Sequence, residues 1–217
     1  MKNLFSNRHL GINGKVIVTV AGAFVVILLA TLYHTSNSEN KLLLSVVENH
    51  VGDLADSYFG NLNTMMLGGA MGQRQIIRDK LLSRPHVTEA RIIRAEPVSA
   101  SYGPGLEHES ISDELDRRAV AGERLVALGR DDNGRVLTLL SPIRATKNYR
   151  GTNCLTCHQV PENTLLGAVR ISYSLAELDN RVKRQLLESA GVLVVIFAVA
   201  LLLITLLIRR VITAPVN

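Results

Sequence analysis

The sequence predicts an α+β fold: a small antiparallel sheet with long flanking helices, bracketed by two transmembrane helices. Two uncharged apolar runs, residues 16–33 and 190–208, are each about as long as a helix that crosses a hydrocarbon core. Between them lie short apolar runs of strand length, separated by turn residues, and segments with helical periodicity. The 217-residue chain therefore divides into two membrane anchors and a central domain, residues 34–189.

Charge placement predicts how the chain lies in a membrane. The formal net charge of +5 comes from basic residues that flank the apolar runs: Lys2, Arg8, Lys15, Arg209 and Arg210. Positive flanks stay in the cytoplasm, so we expect residues 1–15 and 209–217 to be cytoplasmic and the central domain to lie outside. The first run is expected to be an uncleaved signal anchor, the alternative being a cleaved signal peptide. The basic balance reflects this topology, and we expect no nucleic-acid partner.

The central domain is predicted to begin with a long helix. Apolar residues recur at steps of three or four and form one stripe: Leu44, Val47, Val51, Leu54, Tyr58, Leu62 and Met65. Gly68 and Gly69 should end this helix. The stripe either pairs with the same helix of a second copy or packs within the chain, and the periodicity does not choose between these alternatives.

Shorter elements follow. A second helix is predicted to end at Pro85 and to face inward through four residues: Ile76, Ile77, Leu81 and Leu82. A strand is expected over residues 87–94, and a Gly/Pro loop over residues 99–105. Ser112 is the predicted N-cap of a helix that runs to about residue 122, since a serine side chain can accept a bond from a free N–H there.

The second half of the domain predicts strands. Residues 123–128 and 135–143 flank Asp132-Asn133-Gly134, a sequence that favours a hairpin turn. Residues 165–173 predict a further strand. Ser174 should then cap a helix that continues into the second apolar run.

Residues 153–158 contain the only two cysteines of the chain, in a Cys-x-x-Cys-His arrangement typical of covalent haem c attachment. Cys154 and Cys157 would each form a thioether with one haem vinyl group. His158 would follow as the proximal axial ligand, because neutral imidazole suits iron. The predicted topology agrees with this interpretation, since c-type haem is attached on the outer face of bacterial membranes.

Three other interpretations of the cysteine pair are open. A thioredoxin-like dithiol favours a βαβ unit and does not need the histidine. A zinc site needs two further ligands, and the chain has no more cysteines to supply them. A disulfide across two intervening residues would be strained.

Four segments together resemble a known family: Asn63–Gly68 (NTMMLG), Val87–Arg94 (VTEARIIR), Asn153–His158 (NCLTCH) and Gly167–Leu175 (GAVRISYSL). They are similar to the periplasmic haem-c sensor domains with a PAS-like fold that precede bacterial chemoreceptors, sensor kinases and diguanylate cyclases. The resemblance covers about residues 39–188. Residues 209–217 resemble the start of a HAMP linker, which implies a cytoplasmic output module beyond residue 217; an orphan sensor is the alternative.

The resemblance also implies that the end of the long helix approaches the haem, which makes Met65 or Met66 the distal ligand. Adjacent helical residues point about 100° apart, so at most one of them faces the iron. Met65 continues the apolar stripe, which favours Met66. Met71 lies past the glycines and is a weaker candidate, and core packing is the alternative role for all three.

The other charged candidates have structural alternatives. Four arginines are candidate partners of the haem propionates or else ordinary surface charges: Arg91, Arg94, Arg144 and Arg170. The remaining histidines are expected to be solvated or to have structural roles, with His50 half-exposed or facing a second copy: His9, His34, His50, His86 and His108.

These observations predict a homodimeric, two-pass sensor of the bacterial inner membrane. It would detect redox state or a diatomic gas through one haem c and signal through its second transmembrane helix. A membrane-anchored monohaem cytochrome c that carries electrons is the alternative, and a receptor for a small organic ligand is a third interpretation. We expect no enzyme activity, because no catalytic triad, carboxylate pair or phosphate-binding glycine loop stands out.

Overall fold

The computed structural model describes residues 12–208 and residue 210. Over these residues the chain forms five α-helices: α1 (Ile12–Leu67), α2 (Arg74–Leu82), α3 (Glu96–Tyr102), α4 (Glu114–Val120) and α5 (Ala176–Ile208). It also forms four β-strands: β1 (Val87–Arg94), β2 (Leu125–Asp131), β3 (Gly134–Arg144) and β4 (Leu165–Ser174). Single turns of 3-10 helix lie at Met71–Gln73, Glu107–Glu109 and Cys154–Thr156.

The chain divides into two units, residues 1–42 with 180–217, and residues 43–179. In the first unit, α1 and α5 are long and apolar enough to cross a membrane, and none of their most apolar stretch is buried inside the protein. The Phe24 and Phe197 rings stack there with centroids 4.8 Å apart. Most of the expected cytoplasmic tail and, apart from Arg210, the HAMP-like segment lie outside the described residues.

The second unit is built on a four-stranded antiparallel sheet with the order β1-β4-β3-β2. The predicted hairpin is confirmed, because β2 and β3 pair with Asp131 opposite Gly134. β4 lies in the middle of the sheet, where Ile171 is opposite Ala90 on one side and Leu139 on the other. All three of these residues are fully buried. The expected α+β class with an antiparallel sheet is therefore confirmed.

Both faces of the sheet are covered by helices. Successive strand residues point to opposite faces, so Leu139 packs in the cluster on the α1 face while its neighbour Leu140 packs against Ala119 of α4. β4 alternates in the same way, with Ile171 on the α1 face and Ala168 on the α4 face. This double coverage explains why β3 and β4 are nearly continuous apolar runs.

The apolar stripe of α1 packs within the chain. Its central residues are buried in the same cluster as the sheet residues Leu139 and Ile171: Val47, Val51, Leu54, Tyr58 and Leu62. Burying each side chain of this size removes apolar surface worth about 1.5–3 kcal/mol from water. Of the two alternatives for this stripe, the one within the chain is confirmed for these residues.

Several local predictions need correction. Ile76, expected to face inward on α2, is 49% exposed. Residues 99–102 belong to α3 and not to a loop, because Pro97 sits in the first helical turn, where its fixed φ is tolerated. The N-cap of α4 is Asp113, whose Oδ1 accepts a bond from the Asp116 N–H at 2.8 Å. Ser112 does not cap, because its hydroxyl donates to the Asp116 carboxylate.

Gly167 of β4 allows a close approach between strands. A Cβ at this position would lie 2.2 Å from the carbonyl oxygen of Ile93, a backbone atom that cannot rotate away, whereas a Cβ at Gly129 of β2 would meet nothing within 4 Å. We expect Gly167→Ala to lower the free energy of unfolding by about 1–3 kcal/mol and Gly129→Ala to change it by less than about 0.5 kcal/mol. Denaturant unfolding of the detergent-solubilised protein, followed by circular dichroism, compares the two. Equal midpoints would contradict the prediction.

Candidate cofactor site

The Cys-x-x-Cys-His segment lies in the connection between β3 and β4, residues 145–164, which we call the attachment loop. Backbone hydrogen bonds fold this loop back on itself: the Ala145 N–H donates to the Thr164 carbonyl at 2.8 Å, and the Cys154 N–H donates to the Thr146 carbonyl at 2.9 Å. These bonds close the loop, so the two cysteines lie in a folded segment and not in an extended one.

A single turn of 3-10 helix brings the cysteines and the histidine together. Asn153 caps this turn, since its Oδ1 accepts a bond from the Leu155 N–H at 3.0 Å, and the His158 N–H donates to the Cys154 carbonyl at 3.0 Å. Both cysteines are free thiols, Cys154 half-buried and Cys157 exposed. The disulfide considered for this pair is thus not formed, and both sulfurs are available for a covalent bond.

One face of α1 holds the attachment loop through three contacts. Asp56 and Arg150 form an ion pair at 2.7 Å. One helical turn further, the rings of Phe59 and Tyr149 meet edge to face with centroids 4.9 Å apart. Asn63 Nδ2 then donates to Thr152 Oγ1 at 2.9 Å. The helical spacing of Asp56, Phe59 and Asn63 places the next residue of this face near the cysteines.

That next residue is Met66, and it lines a cavity of about 320 Å³ together with Cys154, Cys157 and His158. The volume lies in the range of pockets that bury small molecules and cofactors. Much of the rest of the wall is apolar and comes from α1, α3 and three strands: Phe59, Leu62, Ile92, Val98, Ile143 and Leu166.

The three candidate methionines have different surroundings. Met66 and Met71 line the cavity, and Met65 does not. Met65 and Met66 are both half-buried, and both pack against the apolar cluster on the α1 face. Adjacent helical residues point about 100° apart, which separates the two neighbouring side chains. The helix then closes one turn past Asn63: Gly69 has a φ of +66°, and the N–H groups of Gly69 and Ala70 donate to the carbonyls of Met66 and Met65 at 3.2 and 2.8 Å.

Tyr102, at the end of α3, orients the histidine of the motif. Its hydroxyl donates to the carbonyl of Cys157, and its ring meets the imidazole of His158 edge to face with centroids 5.4 Å apart. No sequence pattern predicts this contact, because Tyr102 and Cys157 are 55 positions apart in the chain.

Two imidazoles line the cavity, those of His158 and His108. Burial lowers the pKa of His158, so its imidazole is neutral and its ring nitrogens can bind a metal. Burial, aided by the charge of Arg78, also lowers the pKa of His108. His108 is half-buried and lines the cavity, a position that its sequence context did not predict.

The remaining histidines lie elsewhere. His86 approaches Glu177 at 3.2 Å, and the rings of both His50 and His86 contact Tyr173. His34, His50 and His86 do not line the cavity, and His9 is outside the described residues.

An arginine cluster that sequence reasoning mostly missed forms another part of the wall. Arg74 and Arg78 of α2 and Arg94 of β1 line the cavity with the carboxylate of Glu109. Arg74 Nε and Arg94 Nε lie 2.5 and 2.7 Å from Glu109. The only signal in the sequence is the four-residue spacing of Arg74 and Arg78, which puts them on one helical face.

Of the four arginines proposed as propionate partners, only Arg94 lines the cavity. Arg91 and Arg170 are bound on the α4 face of the sheet to the fully buried carboxylate of Asp116, at 3.1 and 2.7 Å. Arg144 donates to a backbone carbonyl of the attachment loop. These three have structural roles.

The donor set at the cavity fits a covalently attached haem. Two free thiols stand next to a neutral imidazole, an apolar wall suits a flat macrocycle, and arginines are present for its carboxylates. A closed zinc site fits less well, because the described residues contain no group of three or more His, Cys, Asp or Glu side chains arranged for a metal ion. No protein-family model matches the sequence, and no curated protein matches it either.

Glu109 generates a prediction for acid stability. Burial would raise its pKa, but hydrogen bonds from Arg74 and the Leu106 N–H and the charges of Arg94 and Arg74 outweigh burial and hold the pKa below its usual range. The ionised carboxylate therefore contributes stability that is fully present above about pH 4.5 and is lost as the pH falls through the lower, folded-state pKa.

We expect Glu109→Gln to cost on the order of 3 kcal/mol at pH 7, because it leaves two partly buried guanidinium groups without their anion. The variant should also lose less stability than the parent on acidification. Unfolding midpoints measured between neutral and acid pH test both effects. Glu107→Gln, on the exposed neighbouring carboxylate, is the matched control; identical profiles for the two variants would contradict the assignment.

Proposed function

We propose that this chain is a membrane-anchored sensor that carries one haem c on Cys154 and Cys157, with His158 as the proximal axial ligand. The observation that carries the proposal is the convergence of both thiols, the neutral imidazole and Met66 on one cavity. The Cys-x-x-Cys-His pattern is typical of haem c attachment. The apolar part of the cavity wall would exclude water from the bound haem.

The bound haem would supply a redox-active iron whose axial ligation can change. Around it, Tyr102 holds the carbonyl of Cys157 and packs against His158. Met66 faces the cavity from α1 and is the distal ligand that we favour, since a thioether is a common partner of histidine in c-type haems. Phe59 and Leu62 exclude water from that side of the cavity.

The chain's own contacts suggest a route for a signal. Met66 and Asn63 lie on α1, the helix that also contains the first apolar run. β4 leads directly into α5, and the first turn of α5 is tied to the sheet by Arg135 and Asp179, with Nε to Oδ2 at 2.9 Å. A change in the structure at the end of α1 or in the attachment loop would thus alter the positions of both long helices, α1 and α5. A ligand shifts the equilibrium between two conformations of the domain only if it binds one of them more tightly than the other.

In this proposal the central domain is a PAS-like periplasmic module of a bacterial inner-membrane protein with both termini in the cytoplasm. Two apolar helices and the basic residues at their ends support that topology. The active form would be a homodimer, the signal would be redox state or a diatomic gas, and a HAMP-like segment would lead to an output module.

Electron transfer is the second candidate function, and the exposure of the attachment loop favours it. Cys157 and Thr156 are both exposed, so a haem bound there would present an edge to solvent, as a carrier requires. A carrier needs firm axial ligation on both sides, whereas a gas sensor needs one exchangeable position.

Haem attachment is tested directly by an absorption spectrum of the purified protein, produced in a host able to attach c-type haem. We expect a c-type spectrum that survives acid–acetone extraction, and loss of covalent haem in Cys154→Ala with Cys157→Ala. A parent protein without covalent haem would refute the proposal. Readily altered bands of the reduced form under carbon monoxide would support a sensor, and bands unmoved by carbon monoxide would support a carrier.

Met66 and Met65 form a matched pair for testing the distal ligand. We expect Met66→Leu to convert a six-coordinate spectrum to a five-coordinate or water-ligated one and to lower the reduction potential, because a methionine ligand raises it. Met65→Leu should leave the spectrum unchanged, since Met65 does not line the cavity, and this volume-conserving change should cost less than about 1.5 kcal/mol.

Parent-like spectra for both variants would exclude methionine ligation by this pair. Met71→Leu and His108→Ala, at the other potential ligands that line the cavity, would then identify the distal side.

A further inference from the structure

The arginine cluster holds more positive charge than its own partner neutralises. Three guanidinium groups, those of Arg74, Arg78 and Arg94, face the cavity with side chains only 18%, 23% and 12% exposed, and the one carboxylate among them is Glu109. His108 lies in the same wall and is kept neutral by its lowered pKa. Three guanidinium groups thus face a single carboxylate within this partly desolvated wall.

Arg74 and Arg94 are both committed to Glu109. Arg74 binds the carboxylate with two nitrogens, Nε at 2.5 Å and Nη2 at 3.2 Å, and its Nη1 donates to the Met71 carbonyl. Arg94 adds its Nε at 2.7 Å, and its Nη1 donates to the Gly103 carbonyl. Glu109 therefore fixes the positions of both arginines and sets the geometry of this wall.

Arg78 has much weaker compensation. Its Nε donates to the carbonyl of Ala90 at 2.9 Å, which holds the side chain in place without neutralising it. Its nearest carboxylate is the 61% exposed Asp79, at 3.9 Å from Nη1. A pair this long and this exposed contributes little. Arg78 is held rigidly at the cavity wall with its charge available.

We propose that the arginine cluster is a binding site for a carboxylate of a ligand in the cavity, and that Arg78 is its principal cation. The planar fork of a guanidinium group matches a carboxylate and forms its strongest hydrogen bonds with one. Partial burial strengthens each such bond relative to water.

Two sources can supply this chemistry. One is the pair of propionates of a haem attached at Cys154 and Cys157, in which case the inference rests on the proposed function. The other is a free dicarboxylate that enters the cavity as a ligand, which requires no haem. The site is the same in both cases, and the experiment below separates the sources.

The test compares the parent with Arg78→Gln, Arg78→Lys and Arg130→Gln, all as the full chain in detergent. Arg78→Lys keeps the charge but loses the fork. Arg130→Gln removes one charge from an exposed position on β2 and controls for the loss of net charge. Covalent haem content, the reduction potential and the melting temperature are measured for each, with and without succinate as the dicarboxylate probe.

With propionates in the site, Arg78→Gln lowers the reduction potential, because a nearby cation favours the less positive ferrous haem. Arg78→Lys gives a smaller shift, Arg130→Gln gives none, and succinate changes nothing. With a free dicarboxylate in the site, succinate saturably raises the melting temperature of the parent. Arg78→Gln weakens that binding about tenfold or more, by the loss of a charged hydrogen bond, and Arg130→Gln does not.

A holoprotein in which Arg78→Gln and Arg130→Gln are indistinguishable, in potential and in succinate response, overturns the inference and leaves the proposed function intact. A parent without haem overturns the proposed function. If the protein without haem still shows a response to succinate that depends on Arg78, the carboxylate-binding site is supported. If it shows no such response, the proposed site is refuted as well.

Discussion

The packing of α1 on the sheet is the constraint on which the rest of the structure depends. The apolar stripe from Val47 to Leu62 is buried against Leu139 and Ile171, so the rotation of α1 about its axis is fixed by the burial of large side chains. Once that rotation is fixed, the neighbouring face of the helix must lie over the attachment loop. Asp56, Phe59, Asn63 and Met66 occupy that face, and the first three contact the loop directly.

The cavity follows from this arrangement, because it is the space enclosed where α1 ends, the attachment loop turns and α2 begins. Its wall combines two environments. The side near the cysteines is apolar and keeps the His158 imidazole neutral. The side formed by α2 and β1 carries guanidinium groups around Glu109. A flat ligand with an apolar body and acidic substituents satisfies both environments, and a purely apolar or a purely anionic ligand satisfies only one.

Charge elsewhere in the domain is used differently. On the α4 face of the sheet, Arg91 and Arg170 pair with three carboxylates, those of Glu89, Asp113 and Asp116, so their positive charge is fully compensated. At the cavity the charges are not matched, since Arg78 has only a distant and exposed carboxylate near it. A cation that is weakly compensated in a partly buried wall costs free energy of folding. Such groups are found mainly at functional sites. The contrast between the two clusters points to the cavity as the functional surface of the domain.

The sequence alone determined the features that depend on local pattern. The period of apolar residues predicted α1 and its end at the paired glycines, and Asn133-Gly134 predicted the hairpin. The spacing of Cys154, Cys157 and His158 predicts haem attachment in the same local way, and this stays a prediction. Its errors were also local: residues 99–102 belong to α3 where a loop was expected, and Asp113 is the N-cap expected of Ser112. Only the tertiary structure decided which distant side chains meet. The contact of Tyr102 with His158 and the position of Glu109 between two arginines depend on how helices and strands pack, because burial sets the rotation of each element and no short-range pattern encodes it.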